Sequence, residues 1–293
     1  MTFQLFISGI SLGSVYALIA VGFAIVFSIL KFSNFAHGGM ISACAYIGYF
    51  FLSAFETPPP FAVTVLFTTV CGVLLALLVD VVAYRRIRRK QAPNIYYFLA
   101  SITIAILIEQ ILSVFFGKNL YGYPAIFKNT TFNIGSIRFS SVDTLILMVS
   151  LAILAVLLYV INGTRIGLAI RAVAISPSTS RLMGMNSDVI IVVVFAIAGA
   201  LAGISGVLLG MKYSVYPSLG PSMMIKGFIA SVIGGLGSLG GAITAAVALG
   251  IVEIFLTYWI GSLSAPIVLF GIMLVFLAIR PEGISGRFAK DKV

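Results

Sequence analysis

Long apolar segments that carry almost no charge are the feature that most limits how this sequence can fold. Between residues 1 and 79 the charged side chains are Lys31 and Glu56 alone. Over all 293 residues, 61% are hydrophobic and 9% are charged, whereas a soluble domain has roughly 45–50% and about 25%. So few charges cannot cover a globular surface, which excludes a soluble enzyme and an ordinary nucleic-acid-binding protein. We therefore predict a protein that crosses the lipid bilayer several times.

The apolar residues form continuous runs, which indicate membrane-spanning helices. A spanning helix needs about 20 apolar residues, whereas the strands of a transmembrane β-barrel alternate over ~10 residues. We predict an all-α fold, a polytopic helical bundle in a single transmembrane domain over residues 1–293. The first run has no basic segment before it and no A-x-A motif, so we expect a retained span and no signal peptide. The runs are 4–29, 40–55, 61–83, 95–116, 142–161, 188–211, 241–260 and 264–280.

Basic residues determine the expected orientation of these spans. Residues 85–90 hold five basic side chains in six positions directly after a span, and such clusters stay in the cytoplasm. The loops near 84–94 and 162–187 and the tail 281–293 should therefore be cytoplasmic. Parity then requires residues 222–240 to cross as well. The result is about nine crossings with the N-terminus outside and the C-terminus in the cytoplasm.

Two segments interrupt the helical pattern at membrane depth. They are residues 31–39 and 222–240, and the second contains a glycine-rich run from Gly234 to Gly241. Broken backbone in a membrane is tolerated where protein or a water-filled cavity satisfies it. We expect a short helix followed by an irregular stretch within 222–240, buried at a functional interface. The spans before the two breaks would form an inverted repeat beside a transport path; alternatively, their glycines are helix-packing faces.

Ionisable side chains inside membrane spans are costly and are functional candidates. Here they are His37, Asp80, Glu109 and Glu253. We expect Asp80 to pair with Arg85 or to lie among the lipid headgroups. Glu109 and Glu253 either form buried hydrogen bonds between helices or handle substrate or protons. His37 either caps or packs its loop or takes part in transport, and a lone histidine rules out a zinc site of the usual ligand count.

The sequence predicts no catalytic, metal or cofactor site. It lacks an H-E-x-x-H pair and paired acids at catalytic spacing. It also lacks G-x-x-x-x-G-K-[ST], so the glycine run should not bind ATP. Energy for active transport would then come from an ion gradient or from a separate ATPase. Cys44 and Cys71 lie in apolar runs, and we expect both to be packing residues.

The loop 162–187 contains a predicted docking helix. Ser176 and Pro177 form an N-cap and first-turn pair, and Gly184 suits the end of a helix of about two turns. An apolar patch with arginine beside it is typical of a surface that docks another protein. A helix lying on the membrane surface is the alternative, which suits so short a helix less well. The residues expected to be exposed are Arg181, Leu182 and Met183.

Motifs spread over nearly the whole chain recur together in one known family. They are Asn34-Phe35-Ala36-His37-Gly38, Gly167-x-Ala169-x-Arg171-Ala172, Leu182-Met183-Gly184, Lys226-Gly227-Phe228, Gly234-Gly235-Leu236-Gly237-Ser238, Glu253 and Arg280-Pro281-Glu282-Gly283. With them the chain resembles the permease subunits of bacterial ABC importers for branched-chain amino acids, specifically the shorter of the two paralogous permeases. The sequence departs from the usual family pattern at Ile175-Ser176-Pro177, where an acidic or amide residue commonly precedes the proline.

The resemblance implies a transport subunit, not an enzyme, that forms half of a path for branched-chain or other neutral amino acids. Its partners would be a second paralogous permease, two cytoplasmic ATP-binding subunits and an extracytoplasmic substrate-binding protein. It would lie in the lipid bilayer of the bacterial cytoplasmic (inner) membrane and bind no nucleic acid. The ATPase-docking residues would be Arg171, Ala172, Ala174, Ser176, Arg181, Leu182 and Gly184. The residues of the translocation path would be Asn34, His37, Gly38, Glu109, Gly234, Gly235, Gly237, Ser238 and Glu253.

Two other functions are compatible with the residues. A stand-alone, proton-coupled secondary transporter would use His37, Glu109 or Glu253 as a proton relay. A channel is the third possibility, and it would need no energy source.

Overall fold

The protein is a bundle of helices, seen in a computed structural model that describes residues 2–124, 131–134, 137–280 and 283–285. A π-helical turn (Asp80–Tyr84) joins α3 to α4, and a hairpin of β1 (Thr131–Ile134) and β2 (Ile137–Ser140) precedes α6. The helices are α1 (Thr2–Leu30), α2 (Ala36–Ser53), α3 (Phe61–Val79), α4 (Arg85–Arg89), α5 (Asn94–Phe116), α6 (Ser141–Gly163), α7 (Arg165–Ile175), α8 (Pro177–Leu182), α9 (Ser187–Lys212), α10 (Leu219–Gly234), α11 (Leu239–Ile260) and α12 (Ala265–Ile279).

The prediction of a polytopic helical membrane bundle is confirmed. In the described part of the chain, six helices are long and apolar enough to cross a membrane: α1, α3 with its continuation through α4, α5, α6, α9 and α11. Helices α10 and α12 are shorter and apolar, and α2 has 18 residues. A total of nine crossings requires that all three of these also cross, so the count stays a prediction.

Two connecting segments differ from the sequence-based prediction. The segment near 84–94 was expected to be a loop, but the span continues as a helix through the π turn to Arg89. Residues 162–187 hold two helices instead of one. The additional helix, α7, starts at a cap in which Thr164 Oγ1 accepts a hydrogen bond from the Gly167 amide at 3.2 Å. The hairpin was also not predicted, and of the tail 281–293 only residues 283–285 are described.

Helix α1 forms the centre of the bundle. Residues 11–26 are buried without exception, as expected for a helix that is apolar on all sides. It packs antiparallel against α11 at very short range: a Cβ added to Gly13 would lie 2.6 Å from the Val247 Cα, and one on Gly9 would lie 2.7 Å from the Ile251 Cα. Small residues therefore allow these two backbones to touch, as in many membrane helix pairs.

A second close helix pair is formed by α3 and α9. A Cβ on Gly72 would overlap the Gly199 carbonyl, and one on Gly203 would overlap the Thr68 carbonyl. Further along α9, a Cβ on Gly206 would lie 2.8 Å from the Ala45 amide nitrogen of α2. The glycine-rich spans before the two breaks are thus helix-packing faces, which was one of the two alternatives. The inverted repeat stays a prediction.

We predict that Gly250→Val destabilises the contact between α1 and α11. A Cβ at Gly250 would overlap the Gly13 backbone, and overpacking of this kind costs about 1–3 kcal/mol. Gly271→Val on α12 is the matched control, because a Cβ there meets nothing within 4 Å. Thermal unfolding of the chain in detergent measures the difference. Equal melting temperatures for the two variants would contradict the described contact.

Candidate translocation path and docking surface

A buried ion pair joins α10, α11 and α1. Lys226 Nζ donates to Glu253 Oε1 at 2.5 Å and to the Tyr16 hydroxyl at 2.9 Å. The Tyr16 hydroxyl in turn donates to Glu253 Oε2 at 3.0 Å. Charges removed from water need such partners, because an uncompensated buried charge is strongly destabilising. Glu253 therefore makes the interhelical hydrogen bond that was one of its two expected roles, and Lys226 is its counter-ion.

The break after α1 contains a second set of polar groups. Lys31 turns the chain with a φ of 54°, and Asn34 Oδ1 accepts a hydrogen bond from the Tyr84 hydroxyl at 2.7 Å. His37 lies in the first turn of α2, where its ring is buried against Gly22: a Cβ on that glycine would lie 2.6 Å from Nε2. In the described part of the chain, neither ring nitrogen of His37 has a hydrogen-bond partner. The histidine thus packs as a ring and caps no helix.

The starts of α2 and α10 meet each other. The backbones of Gly38 and Gly220 are in contact. The Ser42 hydroxyl donates to the Pro217 carbonyl at 2.7 Å and accepts from the Gly220 amide at 2.8 Å. The structure therefore brings the predicted path residue Gly38 against the segment that leads into the second break.

This meeting point lies near the middle of the bundle. A Cβ on Gly39 would lie 3.2 Å from the Ala105 Cα and 3.3 Å from the Ile108 Cβ, and both residues are close to the midpoint of α5. Phe35 and Phe228 pack beside it with ring centroids 5.4 Å apart. Helices that begin at mid-depth are typical of segments that line a transport path.

The second break is shorter than predicted. Its irregular part is Gly235–Ser238, because the residues before and after it belong to α10 and α11. Gly235 and Gly237 have φ values of 102° and 88°, which glycine adopts without strain. Ser238 Oγ caps α11 by accepting from the Gly241 amide at 3.2 Å. The predicted irregular glycine-rich stretch is therefore a tight turn between two helices.

Glu109 lies apart from both polar clusters. It is half-buried on α5, and the Ser113 hydroxyl donates to its backbone carbonyl at 2.9 Å. Within the described residues, its carboxylate makes no hydrogen bond or ion pair. The expected hydrogen bond from this side chain to another helix of the same chain is therefore not seen.

Helix α8 presents an exposed apolar end. Ser176 Oγ accepts a hydrogen bond from the Thr179 amide at 3.3 Å, so the predicted cap is present. Gly184 has a φ of 81°, which suits the predicted helix end. Leu182 is 89% exposed and Met183 is 78% exposed. Of the other predicted docking residues, Arg171 and Arg181 are exposed, and Ala172 and Ala174 are half-buried.

Asp80 pairs with a different arginine from the one predicted. Arg88 donates to Asp80 Oδ1 at 3.1 Å and to Asp188 Oδ1 at 3.3 Å. In a regular α-helix, residues eight positions apart would point about 80° away from each other. The wider π turn reduces this angle and brings Arg88, instead of Arg85, onto the side of Asp80.

Polar contacts and two short stretches of backbone together form a chain from α8 to the first break. The Ser187 hydroxyl at the start of α9 donates to the Pro177 carbonyl at 3.2 Å. The next residue of α9 is an aspartate that binds Arg88, and Arg88 also binds the π turn. From the π turn, Tyr84 reaches Asn34. Helix α8 is thus linked to the break through contacts between residues that are far apart in the sequence.

Sequence reasoning missed several residues of these clusters. Glu253 was among the candidates, and Lys226, which was not, had a usable signal, since a cation inside one apolar stretch and an acid inside the next require counter-ions. Tyr16 and Tyr84 had none, because a tyrosine in an apolar run resembles any aromatic packing residue. Among the described residues, no group of three possible metal ligands converges.

Comparison with known proteins decides the family. The sequence matches the family described as "Branched-chain amino acid transport system / permease component" over residues 5–278. It is 31% identical over 305 residues to the high-affinity branched-chain amino acid transport system permease protein BraD of Pseudomonas aeruginosa, covering 99% of this chain and 97% of BraD. The chain belongs to this permease family.

Further relatives agree with that assignment. The permease is 30% identical over 306 residues to the corresponding protein LivH of Escherichia coli, with 99% of this chain and 97% of LivH covered. Among solved structures it is similar to a chain of PsaBC from Streptococcus pneumoniae in complex with Fab, with a TM-score of 0.51 and 15% identity over 96% of this chain and 92% of that one. At this identity the likeness shows the fold alone. The permease is accordingly a multi-pass membrane protein.

We predict that breaking the ion pair harms the permease more than removing it. Lys226→Met leaves a buried carboxylate without a counter-ion and should cost about 3–5 kcal/mol. The double variant Lys226→Met/Glu253→Met should recover most of this loss, because apolar side chains of similar size then replace both charges. Thermal unfolding in detergent compares the two. A double variant no more stable than the single one would show that the pair does not form.

Proposed function

We propose that this permease is the membrane subunit of an ATP-driven importer and forms half of a path for branched-chain or other neutral amino acids. The observation that carries the proposal is the exposed apolar end of α8 on a chain that matches the permease family along its length. Exposed apolar groups beside charged ones mark surfaces that bind proteins. We infer that an ATP-binding subunit covers Leu182 and Met183.

The proposed assembly contains five components. They are this chain, a second paralogous permease, two cytoplasmic ATP-binding subunits and an extracytoplasmic binding protein, at the bacterial inner membrane. The contact between Arg88 and Asp188 joins the basic cluster to the region of α8 and α9, so these two basic segments lie at one end of the bundle. This supports a cytoplasmic position for that end, with the N-terminus outside and the C-terminus in the cytoplasm.

The proposed path follows the meeting point of α2 and α10. Asn34, His37 and Gly38 would contribute from the first break. The second break would contribute through Gly234, Gly235, Gly237 and Ser238, while Glu253 holds α11 in place against α10.

Glu109 is half-buried, with no partner among the described residues, and an acid facing lipid is costly. We therefore assign its side of α5 to the contact with the second permease.

The polar chain between α8 and the first break is the proposed route of coupling. A displacement of the docking helix would act on the start of α9, then on Arg88, and then on the π turn. The Tyr84 hydroxyl would transmit it to Asn34. The docking surface and the path would in this way change conformation together.

The two other functions have less support. In the described residues no hydrogen bond connects His37, Glu109 and Glu253 to one another, whereas a proton relay requires connected groups. Glu253 also forms an ion pair with Lys226. A channel would leave the exposed apolar end of α8 without a role.

Leu182→Asp should uncouple ATP hydrolysis from transport. The new carboxylate would be buried against the ATPase without a partner, so uptake should fall about tenfold or more, while the permease still inserts. Leu182→Met is the matched control, because it keeps an apolar side chain at the same exposed position. Uptake and ATP hydrolysis in proteoliposomes that hold the whole importer measure the effect. Wild-type uptake by Leu182→Asp would overturn the docking assignment.

A further inference from the structure

A basic cavity opens where the end of α4 meets α8 and the start of α9. Its volume is about 220 Å³. It is separate from the meeting point of α2 and α10, and it shares Arg181 with the predicted docking surface. The lining residues are Arg85, Arg88, Arg89, Gln91, Arg181 and Asp188.

Three of the four arginines in this cavity have no acidic partner among the residues that the structure describes. Arg88 is neutralised, because two aspartates lie 3.1 and 3.3 Å from it. In the described part of the chain, no ion pair involves Arg85, Arg89 or Arg181. Like charges around one cavity repel each other. An anion with several oxygens removes this cost, since guanidinium groups bind phosphate in a bidentate manner.

An exposed apolar surface leads to the cavity. On α3 and the π turn, the exposed residues include Leu74, Leu78 and Val82. Arg85 follows on the exposed side of the same continuous helix. A molecule that carries an anionic group and long apolar chains would therefore find both of its binding partners along one helix.

The length of that helix places the cavity at the depth of lipid headgroups. The span Phe61–Arg89 has 29 residues, which at 1.5 Å per residue is about 43 Å. A bilayer with its headgroups is about 40–45 Å thick. Arg85 and Arg89 at the end of this span therefore lie where lipid phosphates lie, while the apolar surface of α3 lies beside the acyl chains.

We propose that the cavity binds the phosphate of an anionic phospholipid whose acyl chains lie along the exposed side of α3. Basic pockets between helices bind acidic headgroups in this manner. A carboxylate of a docked ATPase has similar chemistry, but it would make no use of the apolar surface. The phosphate would bridge Arg85 and Arg89 to Arg181 of α8. The lipid thereby holds the docking helix against the bundle.

Lipid binding to the full chain in detergent tests the proposal. The probes are phosphatidylglycerol, phosphatidylcholine and inorganic phosphate, followed by native mass spectrometry and by thermal unfolding. The test variant is Arg85→Gln/Arg89→Gln. The matched control is Arg86→Gln/Lys90→Gln, which removes the same charge from the same end of the helix without changing the cavity lining.

The wild-type chain should retain phosphatidylglycerol in preference to phosphatidylcholine and should melt at a higher temperature with it. Each removed arginine should weaken this binding about fivefold, so the test variant loses about 25-fold. The control should bind nearly as the wild type does. Without lipid, the test variant should melt no lower than the wild type, because it has lost like-charge repulsion and no contact.

Four results would overturn the proposal. Equal retention of the two lipids, or an equal loss in both double variants, would show that the cavity selects no headgroup. Equal thermal stabilisation of the chain by inorganic phosphate would show that the cavity binds a soluble anion. Unchanged lipid binding in Arg85→Gln/Arg89→Gln would show that the cavity does not hold the lipid.

Discussion

The burial of α1 on every side is the constraint on which the rest of this bundle depends. Its glycines allow α11 to approach backbone to backbone, and Gly22 leaves room for the ring of His37. Its Tyr16 completes the ion pair between α10 and α11. Because these elements pack on one central helix, the position where α1 ends determines where the first break lies. The second break lies beside the end of α1, since a Cβ on Gly237 would be 3.7 Å from the Ser28 Cα.

The sequence was sufficient for the features that depend on composition or on neighbouring residues. Few charges in long apolar runs leave helices as the available solution in a membrane, and the cap of α8 at Ser176 is a local interaction that its own residues specify. The partner of Asp80 was predicted wrongly, since a π turn is not visible in the sequence and rotates Arg88 into place. Contacts such as Tyr84 with Asn34 join residues 50 positions apart and depend on packing that no single segment encodes.

The end of the bundle that carries the arginines combines three roles in this account. It exposes Leu182 and Met183, which we propose a partner protein covers, it holds a basic cavity beside the exposed apolar side of α3, and it begins the chain of contacts that leads to the first break. Arg88 takes part in the last two, because it lines the cavity and also binds the π turn. Protein docking, lipid binding and the translocation path would therefore all involve one continuous helix, which is formed by α3, the π turn and α4.

The central claim is that this helix transmits motion from the docking surface to the break after α1, and Tyr84→Phe tests it most directly. The substitution keeps the ring packing and removes the hydroxyl bound to Asn34, a loss of about 1–3 kcal/mol at a buried acceptor. The measurement is the number of substrate molecules taken up per ATP hydrolysed in proteoliposomes with the complete importer. We predict normal insertion and ATP hydrolysis with a several-fold lower ratio of uptake to hydrolysis. An unchanged ratio in a well-folded Tyr84→Phe importer would contradict it.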